Sequence, residues 1–424
     1  MKILVVTRDA PRLISGAAKR NAYLLRALCE AHRVTLVIVT DDPAVAARDG
    51  AGLEAKLEAL HIVGAPLSRY KRAWQLASPA LRQPSVTLRF SPPRAGRAIR
   101  ALLTGERFDA VVYQSVIVAN HRLPPGPTVV IDEHNVEYEL LERSVPQARS
   151  TSRRIHYALE AAALKRLELA LLARADLVSV TSEREREMLG ALLPGASVVV
   201  TPNGVDTNAF APGPQGAGTP HRVIFTGSMD YHPNEQAALY FADTIWPRVC
   251  AEIPDATWYL VGIRPPASVK RLATLPGVVV TGAVAETQPY LSAAAVAIAP
   301  LKVGGGTRLK ILEALSMGKA VVTTALGCEG LNVTAGEHVL VADDPGDFAD
   351  AVIRVMRDDG LRTRLGAAGR ALVEREYSWT RSGRTFVHAI ERCVDERGSV
   401  VRPPARRRLP FGDRGVKPEP RRYT

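Results

Sequence analysis

The sequence predicts an α/β protein made of two Rossmann-like, doubly wound domains that face each other across a cleft. Three observations lead to this fold class. The chain has 424 residues, more than one hydrophobic core usually supports. Continuous β-branched stretches, typical of buried parallel strands, alternate with segments of helical periodicity. The alternation stops at the glycine- and proline-rich stretch APGPQGAGTP (211–220) and then begins again.

The first half predicts an N-terminal Rossmann-like domain over residues 1–205, which the family resemblance described below makes the acceptor side. Helices are predicted over 17–31, over 153–174 and after Val180, because apolar residues recur there at helical spacing. The predicted strands are KILVVT (2–7), VTLVIVT (34–40), AVVYQSV (110–116), TVVIDE (128–133), LVSVTS (177–182) and SVVVTPN (197–203).

The second half predicts a linker over 206–220 and a C-terminal domain over 221–376. A helix over 377–393 is expected to cross back toward the N-terminal domain, and residues 394–424 are expected to form a basic, disordered tail. Helices are predicted over 234–249, 286–293, 345–358 and 361–375. The predicted strands are RVIFTGS (222–228), TWYLVG (257–262), VVVTG (278–282), AVAIAPL (295–301), KAVVTT (319–324) and HVLVA (338–342).

The net charge of +12 favours anionic partners, and half of the excess lies after residue 400. The tail is expected either to be a solubilising segment or to make peripheral contact with anionic membrane. Nucleic acid is not an expected partner, because aromatic residues are not interleaved with the basic ones. The four scattered cysteines predict reduced thiols and no metal site. We expect a cytoplasmic protein, with the inner membrane face as an alternative location.

One motif, VGGGTRLKILEA (303–314), carries most of the chemical information. It follows a predicted buried strand and begins a helix, where unpaired N–H groups and the positive helix end favour an anion. Arg308 and Lys310 add two charges, and Glu313 can accept hydrogen bonds from vicinal hydroxyls. The motif therefore indicates a diphosphate and sugar hydroxyls, or alternatively a glycine-rich turn with a surface Lys310–Glu313 pair. Neither a Walker loop nor GxGxxG is present.

Four stretches together resemble the family-4 (group 1) retaining glycosyltransferases of the GT-B fold. They are PLKVGGGTRLKILEALSMGKAVVTT, VTPNGVDTNAF, VIFTGSMDYHPNEQA and DEHNVEYE, and the similarity runs from Met1 to about Cys393. The resemblance implies a hexosyltransferase that moves a sugar from a nucleotide-sugar to an acceptor hydroxyl with retention. It implies no metal and no cofactor, a glycan or lipid-linked acceptor, and a role in polysaccharide or glycoconjugate biosynthesis.

The resemblance also implies roles for individual residues. Arg308 and Lys310 would hold the diphosphate, and Glu313 matches the second acid of the E-x7-E motif, which holds the ribose. The first acid of that motif is replaced by Gly305. His134 matches the active-site histidine near the transferred sugar. The further donor-binding candidates are Gly16, Ser228, Gly304, Gly305, Gly306, Thr307 and Glu329.

Two alternatives remain open from the sequence. One is a nucleotide-sugar epimerase of the same architecture, which would need no acceptor. The other is a non-catalytic partner that binds nucleotide or glycan in an assembly, for which the missing acid at Gly305 is the main argument. In addition, the Asn203-Gly204 pair is expected to form a turn where the chain crosses between domains.

Overall fold

A computed structural model describes residues 1–8, 10, 16–50, 56–64, 84–146, 150–213 and 219–399. The first domain is a seven-stranded parallel sheet with the order β3-β2-β1-β4-β5-β6-β7. Its strands are β1 (Lys2–Thr7), β2 (Arg33–Thr40), β3 (Ala59–Gly64), β4 (Ala110–Tyr113), β5 (Thr128–Asp132), β6 (Leu177–Val180) and β7 (Val198–Val200).

Helices cover both faces of this sheet, which is why its central strands are buried over most of their length. The helices are α1 (Gly16–Ala31), α2 (Pro43–Gly50), α3 (Ser85–Phe90), α4 (Pro93–Gly105), α5 (Glu137–Ser144), α6 (Thr151–Leu172) and α7 (Glu183–Leu192).

The first sheet differs from the prediction at two places. The edge strand β3 and helices α2 to α4 were not predicted. The strand predicted over 110–116 ends at Tyr113, because Ser115 takes a φ of 127° and Val116–Val118 forms a 3-10 turn. The chain therefore bends at the carboxyl edge of the sheet, where ligands of such sheets bind.

The second domain is a six-stranded parallel sheet with the order β10-β9-β8-β11-β12-β13. Its strands are β8 (Arg222–Thr226), β9 (Thr257–Val261), β10 (Val278–Gly282), β11 (Val296–Ala299), β12 (Ala320–Thr323) and β13 (Leu340–Val341). Its helices are α8 (His232–Thr244), α9 (Trp246–Glu252), α10 (Ala267–Lys270), α11 (Gln288–Ser292), α12 (Leu309–Ser316), α13 (Pro345–Arg357) and α14 (Asp359–Glu376).

The single helix predicted over 234–249 is wrong, since α8 and α9 are separate there. Pro247 lies in the first turn of α9. Proline has no N–H group and its ring would clash with a preceding helical turn, so it is favourable at a helix start and unfavourable inside one. The helix therefore ends at Thr244 and a new one begins at Trp246.

Two crossings of the chain between the domains lie side by side. The Val205 N–H donates to Tyr377 O at 2.7 Å, and Val205 forms a parallel bridge with Ser378. A Cβ atom on Gly204 would lie 2.6 Å from the Trp379 nitrogen, so only glycine permits this approach. The turn expected at Asn203-Gly204 is not formed; the chain passes through these residues toward the bridge.

The last described helix, α15 (Trp379–Ser399), crosses back onto the first domain. Its Phe386 and Ile390 are buried in a core that also contains residues of β1 and α1. The predicted tail boundary at residue 394 is wrong, because Arg397 still lies in the helix and donates to Pro127 O and Asp176 Oδ2, each at 2.6 Å. The remaining tail, 401–424, lies outside the described residues.

Across the part of the chain that the structure describes, no helix is long and apolar enough to cross a membrane. The thiols of Cys29, Cys250, Cys328 and Cys393 are all free.

Candidate functional site

The glycine loop of residues 304–307 connects β11 to α12 and faces the first domain. Gly304 and Gly306 have φ values of 134° and 65°, which favour glycine. A Cβ atom on Gly306 would clash with Asn135 Oδ1, and one on Gly305 would lie 3.7 Å from the Leu140 side chain. The loop therefore approaches the segment that follows β5, at the cleft between the domains.

Arg308 lies at the N-cap of α12 in extended conformation, with φ −91° and ψ 96°. Its guanidinium donates to the carbonyl oxygens of Gly305 and Gly306 and lies 3.5 Å from Leu326 O. The residue is buried, and burial lowers the pKa of the guanidinium. The cation thus faces its own loop, the place where the sequence predicts a diphosphate.

Lys310 approaches the same place from the first turn of α12. Its Nζ donates to Asn234 Oδ1 at 2.6 Å and lies 3.9 Å from the centre of the Phe225 ring. Burial, and next the charge of Arg308, lower the pKa of Lys310 to about 7. Asn234 Nδ2 donates to Ser228 O at 2.9 Å, so the predicted donor residue Ser228 lies beside the lysine's partner. The loops after β8 and β11 therefore meet at one cationic site.

Glu313 is buried on α12 and forms an ion pair with Lys19 of α1 across the cleft. The Lys310–Glu313 surface pair that the sequence left open is not formed. Gly16, at the start of α1, faces Leu309 at the start of α12; a Cβ atom on Gly16 would lie 3.6 Å from Leu309 Cδ1. The predicted ribose acid and the predicted first-domain glycine thus lie on opposite walls of one cleft.

His134 follows β5 and is buried, with its Nε2 3.3 Å from Asp132 Oδ2. Asp132 also accepts two hydrogen bonds from Arg20, from Nε at 2.9 Å and from Nη2 at 2.6 Å. Burial raises the pKa of Asp132, but Arg20 and His134 together hold it well below its usual range. Asp132 is therefore ionised at neutral pH and lies beside His134, whose Nε2 has no hydrogen-bond partner among the described residues.

A hydrogen-bond chain continues from this pair to the glycine loop. Arg20 Nη1 donates to Asn203 Oδ1 at 3.1 Å, and Asn203 Nδ2 donates to Thr307 Oγ1 at 2.7 Å. Arg20, Asn203 and Thr307 are all buried. Hydrogen bonds thus connect Asp132 at the end of β5, through Arg20 of α1 and Asn203 of the first crossing, to Thr307 of the glycine loop.

Replacing Thr307 by valine is expected to lower the free energy of unfolding by about 1–3 kcal/mol, because Asn203 Nδ2 loses its partner while it stays buried. Denaturant unfolding monitored by fluorescence measures this change. Thr307→Ser keeps the hydroxyl and serves as the matched control, with stability close to the wild type. Equal stability of the valine and serine variants would contradict the assigned contact.

Glu329 is held by two arginines of the first domain. Arg143 Nη1 and Nη2 donate to its two carboxylate oxygens at 2.6 and 3.0 Å, and Arg184 Nε lies 3.2 Å from Oε1. Arg143 Nη1 also donates to Gly304 O at 3.1 Å. The structure therefore places Glu329 beside the glycine loop. Its carboxylate is paired with arginines of the first domain, across the cleft. Sequence reasoning missed Arg143, Arg184 and Lys19, which lack any motif of their own.

A buried acid, Glu133, lies next to His134. Its Oε1 accepts from the Val116 N–H at 3.1 Å, and its Oε2 has no hydrogen-bond partner among the described residues. Burial, and then the nearby acids Glu168 and Glu137, raise the pKa of Glu133 well above its usual range. A neutral carboxylic acid can donate as well as accept a hydrogen bond, so the protonated form can stay buried at the carboxyl edge of the first sheet without a cationic partner.

Comparison with protein families matches both halves of the chain. Residues 14–209 match the family described as Glycosyltransferase Family 4, and residues 220–358 match the one described as Glycosyl transferases group 1. The phosphatidyl-myo-inositol mannosyltransferase of Mycobacterium tuberculosis is 31% identical over 218 residues. That match covers 48% of this chain and 56% of the relative, so the chain spans about half the length of the curated relatives it matches.

Solved structures match over nearly the whole chain. The sucrose-phosphate synthase of Thermosynechococcus elongatus superimposes with a TM-score of 0.69 at 16% identity, covering 93% of this chain and all of that one. The Anabaena protein HepE, solved in complex with UDP, gives a TM-score of 0.63 at 14% identity over 92% of this chain and 100% of that one. These likenesses establish the two-domain GT-B fold.

Proposed function

Because this chain belongs to the group 1, family 4 glycosyltransferases, we propose that it transfers a sugar from a nucleotide-sugar donor to an acceptor hydroxyl with retention of configuration. The observation that carries the proposal is the convergence of Arg308, Lys310 and the glycine loop at the cleft, opposite His134. We also propose the domain boundaries given above and the roles of the individual site residues given below.

The donor diphosphate would bind where the second domain concentrates positive charge. Arg308 donates to the carbonyl oxygens of its own loop, and a diphosphate would offer it stronger, charged acceptors. Lys310 would exchange the neutral amide of Asn234 for a phosphate oxygen. Negative charge grows on the diphosphate as the sugar–oxygen bond breaks, so groups already aimed at this place stabilise the transition state.

The nucleoside would bind at Glu313. A carboxylate can accept two hydrogen bonds from vicinal ribose hydroxyls, and Glu313 is buried at the cleft beside the cationic site. Lys19 forms an ion pair with Glu313, and ribose binding would replace this pair. Lys19 would then lie at the entrance of the donor site, where its charge favours the departing diphosphate.

The acceptor hydroxyl would approach from the first domain, next to His134. The histidine Nε2 lies 3.3 Å from Asp132 Oδ2, and an imidazole can donate a hydrogen bond to a sugar hydroxyl. The acceptor would attack from the side on which the diphosphate leaves, and a phosphate oxygen would take its proton; we assign no covalent nucleophile. This reaction needs no metal and no cofactor. A glycan or lipid-linked acceptor fits the resemblance of this chain to an enzyme named for transfer to phosphatidyl-myo-inositol.

A thermal-shift screen with UDP, GDP, TDP and ADP tests the proposal. One of these is expected to stabilise the chain, by about 2.7 kcal/mol at 100 times its dissociation constant. The corresponding nucleoside without phosphates is the control and should stabilise far less, because it leaves Arg308 and Lys310 unengaged. If none of the four diphosphates stabilises the chain, the donor site and the proposed transfer are wrong. Binding without turnover against any acceptor would instead favour a non-catalytic partner.

A further inference from the structure

Tyr231 is the one exposed aromatic residue in the part of the chain that the structure describes. Every other tyrosine, tryptophan and phenylalanine among the described residues is buried or half-buried, whereas Tyr231 is 46% exposed. An aromatic ring contributes a large apolar area when it is covered, and a single apolar residue on an open surface needs no explanation. The position of Tyr231 is different, because its loop lies at the candidate donor site.

The loop that carries Tyr231 connects β8 to α8 and packs beside the cationic site. Tyr231 is the N-cap residue of α8, and its carbonyl oxygen accepts from the Asn234 N–H at 2.8 Å. The Asn234 side chain accepts from Lys310 Nζ at 2.6 Å. A Cβ atom on Gly304 would lie 3.7 Å from Pro233 Cβ. Contacts that do not use the tyrosine side chain therefore hold this loop against the lysine and the glycine loop.

The side chain of Tyr231 lies in the cleft between the two domains. Burial raises the pKa of its phenol, the charge of Arg308 lowers it, and the charge of Glu137 raises it further. Arg308 belongs to the second domain, and Glu137 begins α5 of the first. A ring that is 46% exposed and still surrounded closely enough for burial to act has protein on both sides and an opening to water. The ring is thus part of the wall of a water-accessible space.

Tyr231 shares its part of the cleft with His134. The glycine loop contacts the segment after β5, since a Cβ atom on Gly306 would clash with Asn135 Oδ1. This segment, 134–137, contains the histidine and ends at Glu137, the acid whose charge acts on the tyrosine. A group attached to a diphosphate at the cationic site and directed toward the histidine would therefore pass the tyrosine ring.

A pyranose ring is a group that an aromatic wall can bind. The C–H groups on one face of a sugar are apolar and slightly positive, and the face of an aromatic ring is negative. The hydroxyls at the edge of the sugar stay available to His134 and to water. A nucleobase can also stack on an aromatic ring. The base, however, is joined to the ribose, and the predicted ribose acid Glu313 faces Lys19 of α1 instead.

We propose that Tyr231 packs its ring against the sugar of the nucleotide-sugar donor and thereby contributes to the choice of donor sugar. This inference rests on the proposed function and adds a specificity-determining residue to it. The contact is made by the ring, so phenylalanine should replace the tyrosine and a side chain without a ring should not. Folding should persist in these variants, because the side chain is exposed and the start of α8 depends on the backbone of Tyr231.

Isothermal titration of the wild type and of Tyr231→Ala tests the proposal. The probes are the nucleoside diphosphate that the thermal-shift screen selects and its esters with glucose, galactose, mannose and N-acetylglucosamine. For at least one ester, Tyr231→Ala should raise the dissociation constant by about three- to tenfold, while that of the diphosphate stays within about twofold. Tyr231→Phe is the matched control and should bind the esters and the diphosphate like the wild type.

The inference is wrong if the alanine variant binds every ester as tightly as the wild type does. Equal weakening of the diphosphate and its esters would assign the ring to the base or the phosphates. A loss in Tyr231→Phe as large as that in Tyr231→Ala would assign the contact to the hydroxyl, and either result also overturns the inference. In these three cases the wild type still binds the diphosphate, so the proposed function survives. If the wild type binds no diphosphate, the proposed function and this inference fail together.

Discussion

Replacing Arg308 by alanine is expected to lower turnover by about 100-fold, and Lys310→Ala should have an effect of similar size. Both cations are positioned on rigid parts of the second domain: Arg308 at the N-cap of α12, Lys310 in the helix's first turn against Phe225. Each would stabilise charge that appears on the diphosphate only as the donor bond breaks. The loss should therefore be larger in kcat than in donor affinity. Steady-state kinetics with the donor identified by the nucleotide screen measures both.

The control for this experiment is Arg186→Ala, which removes the same charge from an exposed position on α7 where the arginine pairs with Glu183. Its turnover should remain at the wild-type level. If Arg308→Ala and Lys310→Ala both retain activity within about threefold of the wild type, the electrostatic role assigned to them is wrong.

Nucleoside diphosphate binding is expected to weaken with rising pH through the deprotonation of Lys310. Burial, and next the charge of Arg308, hold the pKa of this lysine at about 7. A bound diphosphate favours the charged ammonium and raises that pKa, so binding takes up a proton above pH 7. The lysine's contribution is complete below the free pKa and is lost as pH rises toward the bound pKa. Affinity should fall by up to about tenfold per pH unit above pH 7.

Isothermal titration across about pH 6 to pH 9 measures this slope. Lys310→Arg is the matched control, because a guanidinium stays charged throughout this range. The titration of the nucleotide phosphates is common to both proteins, so the difference between their slopes reports Lys310 alone. Identical pH profiles for the wild type and the arginine variant would show that Lys310 does not titrate near the bound diphosphate.

The central strands predicted from the sequence are buried on both faces. KILVVT and VTLVIVT are continuous apolar stretches because helices cover them on each side, and the structure confirms them within one residue. The edge strand β3 (ALHIVG) is only half-buried, so its pattern is mixed and it was missed. The end of α15 was missed because VDERGS is polar enough to resemble the tail, although Arg397 secures it to the first sheet.

The sequence predicted only those residues of the candidate site that lie together in one short stretch. The motif at 303–314 showed the glycines, two cations and the acid, and the structure places them at the cleft. The partners across the cleft were not predictable. Lys19 and Glu313 are 294 residues apart, and Arg143 and Glu329 are 186 apart. Such pairs depend on how the two domains meet, and neither spacing nor periodicity within a segment encodes that.

The paired crossings also determine how this molecule can open. Because Val205 and Ser378 bridge to each other and Gly204 lies against Trp379, the two crossings between the domains are held together side by side and would have to move together if the domains separate. The Lys19–Glu313 and Arg143–Glu329 ion pairs join the facing walls of the two domains, so any separation of the domains must also break these pairs.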